Sequence, residues 1–317
     1  PHFLSFREFA RLLLAEGLWR KRQGDIDGAV ESHLTMLKLV QRISDEPTLI
    51  GFILQASIFS TSFNGLQQIL EDADPSSQTY RAVIEELRSW DIDKSFVRAL
   101  QAERVIFIAF CEWARKSASR REINELSPEK EGFVVNIPVW LGSKSALAVR
   151  NQLLGLQYYK SLLAVARKGV PYKPEELKSL ENQWRQLFGR SEYEVKIGIM
   201  RLVWDSKFIA KEAILPFSME MSNKVATQHA LQRLAIVACA LRLYKKEHGR
   251  YPETLRALVP KYLPTVPVDP FDGKVLRYQR VGEGFKVWSI GEDLKDDGGV
   301  EGEPRWANGD TVWKAVK

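Results

Sequence analysis

The residues best suited to chemistry lie near the C-terminus. The stretch from Gly291 to Glu303 holds six carboxylates, Glu292, Asp293, Asp296, Asp297, Glu301 and Glu303, against the single Lys295. Its local charge of −5 sits in a chain of formal net charge +6, so the acid is concentrated in this loop. Calcium takes several oxygen ligands from flexible, glycine-rich loops and accepts backbone carbonyls among them. Asp293, Asp296 and Asp297 are the ligands this pattern points to, with Asp310 of the run Gly309-Asp310-Thr311-Val312-Trp313 returning as a fourth. The spacing is not that of an EF-hand loop, and a solvated acidic turn without metal is the competing reading.

The rest of the chain offers less chemistry. Glu103 interrupts an apolar helix, Ala99 to Cys111, where a carboxylate could serve as a general acid or base. Pairing with a neighbouring Arg, or helix capping, is the plainer account of such a residue. His2, His33, His229 and His248 share no spacing, which speaks against a zinc site or a histidine-based catalytic set. Cys111 and Cys239 both sit in apolar stretches and read as buried free thiols, although one disulfide between them stays open. No glycine-rich phosphate loop, Gly-x-Ser-x-Gly elbow or metalloprotease helix motif occurs. Trp19, Trp90, Trp113, Trp140, Trp184 and Trp204 are scattered through the first two thirds of the chain. They read mainly as packing residues, with a concave peptide-holding groove as the functional alternative.

The elements that must position these residues are mostly helices. From Phe3 to about Ser222 apolar residues recur at three- and four-residue spacing, as in Phe6, Phe9, Ala10, Leu13, Leu14 and Leu18. Gly17, Gly24-Asp25, Ala29-Val30, Leu34 and Leu37 resemble the small-residue and turn positions of a tetratricopeptide helix pair. A single repeat cannot bury its own face, so a hairpin packed into a larger α-domain is expected. Further helices are expected over 49–70 after Asp45-Glu46-Pro47-Thr48, over 77–90, 93–114, 146–167, 175–188, 192–214 and 223–247. A long surface connection is expected over 116–135. After Ser222 Pro and Gly become frequent and strand-like runs appear at 275–278 and 284–288, marking a module boundary. The expected architecture is mainly α: a multi-helical domain over 1–222, then a small α+β domain over 223–317 in which a long helix lies on a short antiparallel sheet.

This last part resembles the globular domain of the type II secretion major pseudopilins over about residues 225–317. The likeness rests on Tyr244 with Gly249-Arg250-Tyr251-Pro252, the turn Asp269-Pro270-Phe271-Asp272-Gly273, and the loop Ser289-Ile290-Gly291-Glu292-Asp293, in that order. The resemblance implies a helix packed on a small sheet and a calcium ion in the loop at its end. In one respect the chain departs from the family. A pseudopilin starts with a strongly hydrophobic filament-forming helix, whereas here Met219 to His229 is polar.

The balance of these observations is a non-enzymatic scaffold or interaction protein of the bacterial cell envelope, on its periplasmic or extracellular side, with calcium as its one expected cofactor. Protein partners are expected. Nucleic acid is not, because the positive charge is spread along the helices without a basic run. No apolar run approaches a membrane span, and membrane association stays open through a segment upstream of Pro1. Two other readings stay open: an accessory subunit of a larger membrane complex that docks through its C-terminal module, and an enzyme with a site near Glu103.

Overall fold

The computed structural model describes residues 2–44, 46–116, 146–188, 219–302 and 309–315. They are mainly helical, with one small three-stranded antiparallel sheet. The surface connection expected over 116–135 lies outside them except at Lys116. Wholly outside lie the helix expected over 192–214, Trp140, Trp204 and Glu303.

The N-terminal helices start where local chemistry supplies a cap. α1 (His2–Arg22) ends in Arg20, Lys21 and Arg22, whose charges favour a helix C-terminus. Gly24, at φ +82°, turns the chain, and Asp25 caps α2 (Ile26–Ile43) by accepting from the Gly28 N–H at 3.0 Å. Thr48 caps α3 (Leu49–Leu70) through the Gly51 N–H at 2.9 Å, and Ser76 caps α4 (Ser77–Ser89) through the Thr79 N–H at 3.2 Å. Asp27 of α2 accepts from the Ser76 N–H at 2.8 Å and the Thr79 hydroxyl at 2.6 Å, tying the start of α4 to α2. α5 (Ile92–Lys116), α6 (Ala146–Ala166), α7 (Pro174–Phe188) and α8 (Met219–His248) follow.

By packing, the chain forms two compact units that do not follow sequence order. The first comprises Pro1–Phe96, Gly169–Pro171 and Asn223–Lys317, so the C-terminal module shares a core with the first four helices. The second comprises Val97–Lys168 and Tyr172–Ser222. The boundary read in the sequence near Ser222 is the point where the chain enters the first unit for the last time.

In the first unit α1, α2 and α3 pack on one another. His33 of α2 is buried between them, and a Cβ on Gly17 or on Gly65 would lie 3.1 Å or 2.3 Å from its ring. Glycine at these two positions is what admits the imidazole. α3 is, among the described residues, the one helix long and apolar enough to cross a membrane, with mean hydropathy 1.3 over its best window. Its Ser and Thr residues break the apolar run that a reading of consecutive residues looks for. Most of that window is buried within the protein, as in a core helix.

The sheet pairs β1 (Arg277–Val281) with β2 (Gly284–Ser289), and β2 with β3 (Thr311–Ala315), in the order β1-β2-β3. Val281 faces Gly284 across a two-residue loop in which Gly282 takes φ +55°. β3 falls in the run from which Asp310 was expected to return, where the sequence showed no strand signal. Tyr278, Val287 and Trp313 lie side by side in register. Trp313 meets Phe63 of α3 edge to face, and Phe285 meets Tyr251 likewise at 4.8 Å. The segment Leu255–Leu258 is a short 3-10 helix.

In the second unit Phe107 of α5 lies 5.7 Å from Tyr159 of α6 between ring centroids. Leu100, Ala114, Tyr158, Leu162, Leu163, Ala166, Leu177 and Leu180 are among its other buried residues.

Candidate functional site

The C-terminal module is built around a buried carboxylate. Asp269 is 0% exposed and satisfies four donors. Its Oδ1 accepts from the Phe271 N–H at 3.0 Å and the Ser289 hydroxyl at 2.8 Å. Its Oδ2 accepts from the Ile290 N–H at 3.0 Å and Arg277 Nη1 at 2.6 Å. The turn Asp269 to Gly273 is thereby fastened to the end of β2, where the acidic loop begins.

Arg277 collects the neighbouring acids. Its Nη2 reaches Asp272 Oδ2 at 2.5 Å and its Nε reaches Asp296 Oδ2 at 3.3 Å. Burial works to lower the Arg277 pKa, but Asp272, Asp269 and Asp296 outweigh it and raise it. Burial likewise works to raise Asp272, and Arg277 with the Lys274 N–H holds it below the usual carboxylate range. One guanidinium thus pairs with three carboxylates, Asp269, Asp272 and Asp296, and the group as a whole stays negative.

The acidic loop is organised residue by residue. Glu292 accepts from Asn223 Nδ2 at 3.3 Å and from the Thr227 hydroxyl at 3.4 Å, which ties the loop to the first turns of α8. Asp293 accepts from the Lys295 N–H at 3.1 Å in a local turn. Asp296 accepts from the Trp288 indole N–H at 2.9 Å, and this bond, with Gly298 N–H and Arg277, keeps its pKa low against burial. Gly291 (φ +72°) and Gly309 (φ +107°) run so close that a Cβ on Gly291 would lie 2.5 Å from the Gly309 carbonyl. Backbone therefore packs on backbone where the two ends of the loop meet.

Asp310 stands at that junction, immediately before β3, and is 1% exposed. Its Oδ2 accepts from the Gly299 N–H at 2.7 Å, while its Oδ1 is buried without a hydrogen-bond partner among the described residues. Burial raises the Asp310 pKa, and the charges of Asp296 and Asp297 add to the rise against the Gly299 and Asp297 backbone. An ionised oxygen without a donor is costly in such a place. Of the four ligands read from the sequence, Asp296 is already engaged by Arg277 and Trp288, Asp293 by its own turn, and Asp297 and Asp310 influence one another. Among the described residues no three His, Cys, Asp or Glu side chains gather closely enough to hold an ion by themselves.

The other candidates occupy separate places. Glu103 is buried in the second unit, and its charge adds to burial in raising the Tyr159 hydroxyl pKa. His229 Nε2 lies 3.1 Å from Asp93 Oδ1, and His248 stacks on Tyr244 at 4.0 Å between centroids. Burial pushes the His33 imidazole down to about 4, a drop the Ser62 backbone only partly opposes. Cys239 is buried and Cys111 half-buried; both are free, and burial pushes each thiol up to about 12. Trp90 is buried against Phe59, Trp113 rests on Phe110, and Trp19 is exposed. The side chain of Trp184 lies outside the described residues.

Asp269 and Arg277 are the residues that reading the sequence missed as a pair. The available signal was a lone Arg, eight positions after the Asp of a turn, at the start of a strand that pairs back beside it. No family model matches the chain, and neither a curated protein nor a solved structure matches it.

Proposed function

We propose that this chain is a non-enzymatic scaffold or interaction protein of the bacterial cell envelope whose residues 223–317 form a pseudopilin-like module that takes up calcium in its acidic loop. The observation that carries the calcium reading is the buried Oδ1 of Asp310, which meets no donor in hydrogen-bond geometry among the described residues and lies within the influence of Asp296 and Asp297. A hard divalent cation supplies the positive charge such an oxygen lacks, and it accepts backbone carbonyls where side chains are too few. Asp310 and Asp297 would hold it, with Asp293 and Asp296 as the further carboxylates of the loop. Bound there, calcium would pin the loop against β3 and stabilise the module without performing a reaction.

The scaffold reading is supported by the start of α8. Its first half carries Asn223, Thr227 and His229, engaged by Glu292 and Asp93, where a pilin has a helix that enters lipid or the filament core. Such a helix is occupied by its own protein.

The test compares thermal unfolding of the chain in chelator and in millimolar calcium, with magnesium as the control. A cation that binds only the folded state stabilises by about 2.7 kcal/mol at a hundredfold excess over its Kd. Equal melting temperatures in calcium and chelator would sink the calcium reading. The scaffold reading is tested by recovering the tagged chain from native membranes. Co-purifying secretion-machinery proteins support it, and stoichiometric partners unrelated to secretion would favour the docking subunit instead.

A further inference from the structure

α1 carries an apolar stripe that the described residues leave bare. Phe9, Leu12 and Trp19 are 47%, 66% and 61% exposed, while Ala10 and Leu13 are buried toward α2 and α3. At 3.6 residues per turn Leu12, Ala15 and Trp19 fall on one side of the helix. Ala15, exposed between the two large side chains, presents only a methyl group, so a second helix can approach closely at that level. An apolar stripe of this kind on a soluble surface marks a contact.

The charges at its ends say with what. Glu8 and Arg22 are both exposed and stand seven residues on either side of Ala15, the acid toward the N-terminus and the base toward the C-terminus. Among the described residues Glu8 pairs with Arg11 one turn away, with both side chains about two-thirds exposed, a pairing that contributes little and exchanges readily.

We infer that the α1 stripe is the contact between two copies of this chain, packed antiparallel about a two-fold axis at Ala15. A two-fold maps each position onto the one equally far on the other side of the axis. Leu12, three residues before the axis, then comes opposite the partner's Leu18 and one residue from its Trp19, and Glu8 comes opposite the partner's Arg22, each contact occurring twice. A parallel pair would set Glu8 against Glu8 and Arg22 against Arg22, which repels. One helix face is a small surface, so the dimer is weak and concentration-dependent.

Sedimentation equilibrium on the whole chain tests this over a range of concentrations. The wild-type mass should rise toward the dimer, and Leu12→Glu should weaken association at least about tenfold. Trp19→Ser gives a second, independent lesion on the same stripe. Glu8→Arg and Arg22→Glu should each weaken the dimer, whereas the two together should restore it, because both symmetric pairs are then reversed. All four positions are exposed, so the melting temperature at low concentration should not move. A wild-type chain that stays monomeric up to about 1 mM would overturn the inference. So would a dimer indifferent to both stripe variants, or a double reversal as weak as its single variants.

Discussion

The rings of Phe63 and Trp313 meet edge to face, their centroids 5.0 Å apart and their planes at 89°. Phe63 lies on α3 and Trp313 is a fully buried residue of β3. One turn further along α3, Gln67 Nε2 donates to the Val312 carbonyl at 3.4 Å. The same helix thus touches β3, an edge strand among the described residues, at two successive turns, which shields an edge that would otherwise be a liability.

Removing the Phe63 ring should cost about 3–5 kcal/mol, as for other buried aromatic truncations. The readout specific to this contact is hydrogen exchange. In Phe63→Ala the amides of β3 should lose protection together with those of α3. Retained wild-type protection in β3 would mean that helix and sheet do not share one cooperative core.

The second expectation concerns acid. The His33 imidazole has a folded pKa near 4 against 6.5 for the free group, so the unfolded chain binds the proton more readily. The stability owed to neutral His33 is fully present above pH 6.5 and is lost as pH falls toward 4, by about 3 kcal/mol at the low end. His33→Leu, which fills the space between Gly17 and Gly65 without a titrating group, should flatten this part of the profile. Denaturant midpoints measured across the window decide it, and an unchanged slope would assign the acid sensitivity to other groups.

Asp269 and Asp272 separate a fully buried carboxylate from a partly exposed one on the same arginine. Asp269→Asn keeps the shape but sets an amide NH2 against two of the four donors the carboxylate satisfied, and each buried donor left unsatisfied costs about 1–3 kcal/mol. Asp272, whose side chain is 19% exposed, leaves water access when it is neutralised, so Asp272→Asn should cost distinctly less. Equal urea midpoints for the two variants would show that the fastening at Asp269 is not what holds the turn to β2.

What could be read from the sequence was whatever is decided within a few residues. Asp25, Thr48 and Ser76 cap their helices through partners three positions away, and the helix starts expected at 49 and 77 fall directly after Thr48 and Ser76. The strands β1 and β2 were visible because a Gly-containing loop of two residues joins them. β3 was not, since Thr311 to Ala315 is short and its strand character comes from pairing with β2 and from Phe63 above Trp313. The packing of residues 1–96 with 223–317 depends on contacts of that long-range kind. In the acidic loop the ligand types were legible, but Arg277's claim on Asp296 and the burial of Asp310 required the fold.

Asp310 gives the last prediction, because a hydrogen-bonding role and a metal-binding role have opposite signs there. Its folded pKa lies above the ordinary carboxylate value, so the folded state favours the protonated form. Whatever stability that proton supplies is present at acid pH and lost as pH rises through the folded pKa. At neutral pH without calcium the ionised Asp310 is therefore a burden, and Asp310→Asn, which cannot ionise yet still accepts from the Gly299 N–H, should melt higher than wild type in chelator. Calcium should reverse the order by raising the wild type and leaving the variant where it was. If Asp310→Asn instead melts lower in chelator and responds to calcium as the wild type does, the carboxylate serves Gly299 alone and the ion, if bound, sits elsewhere.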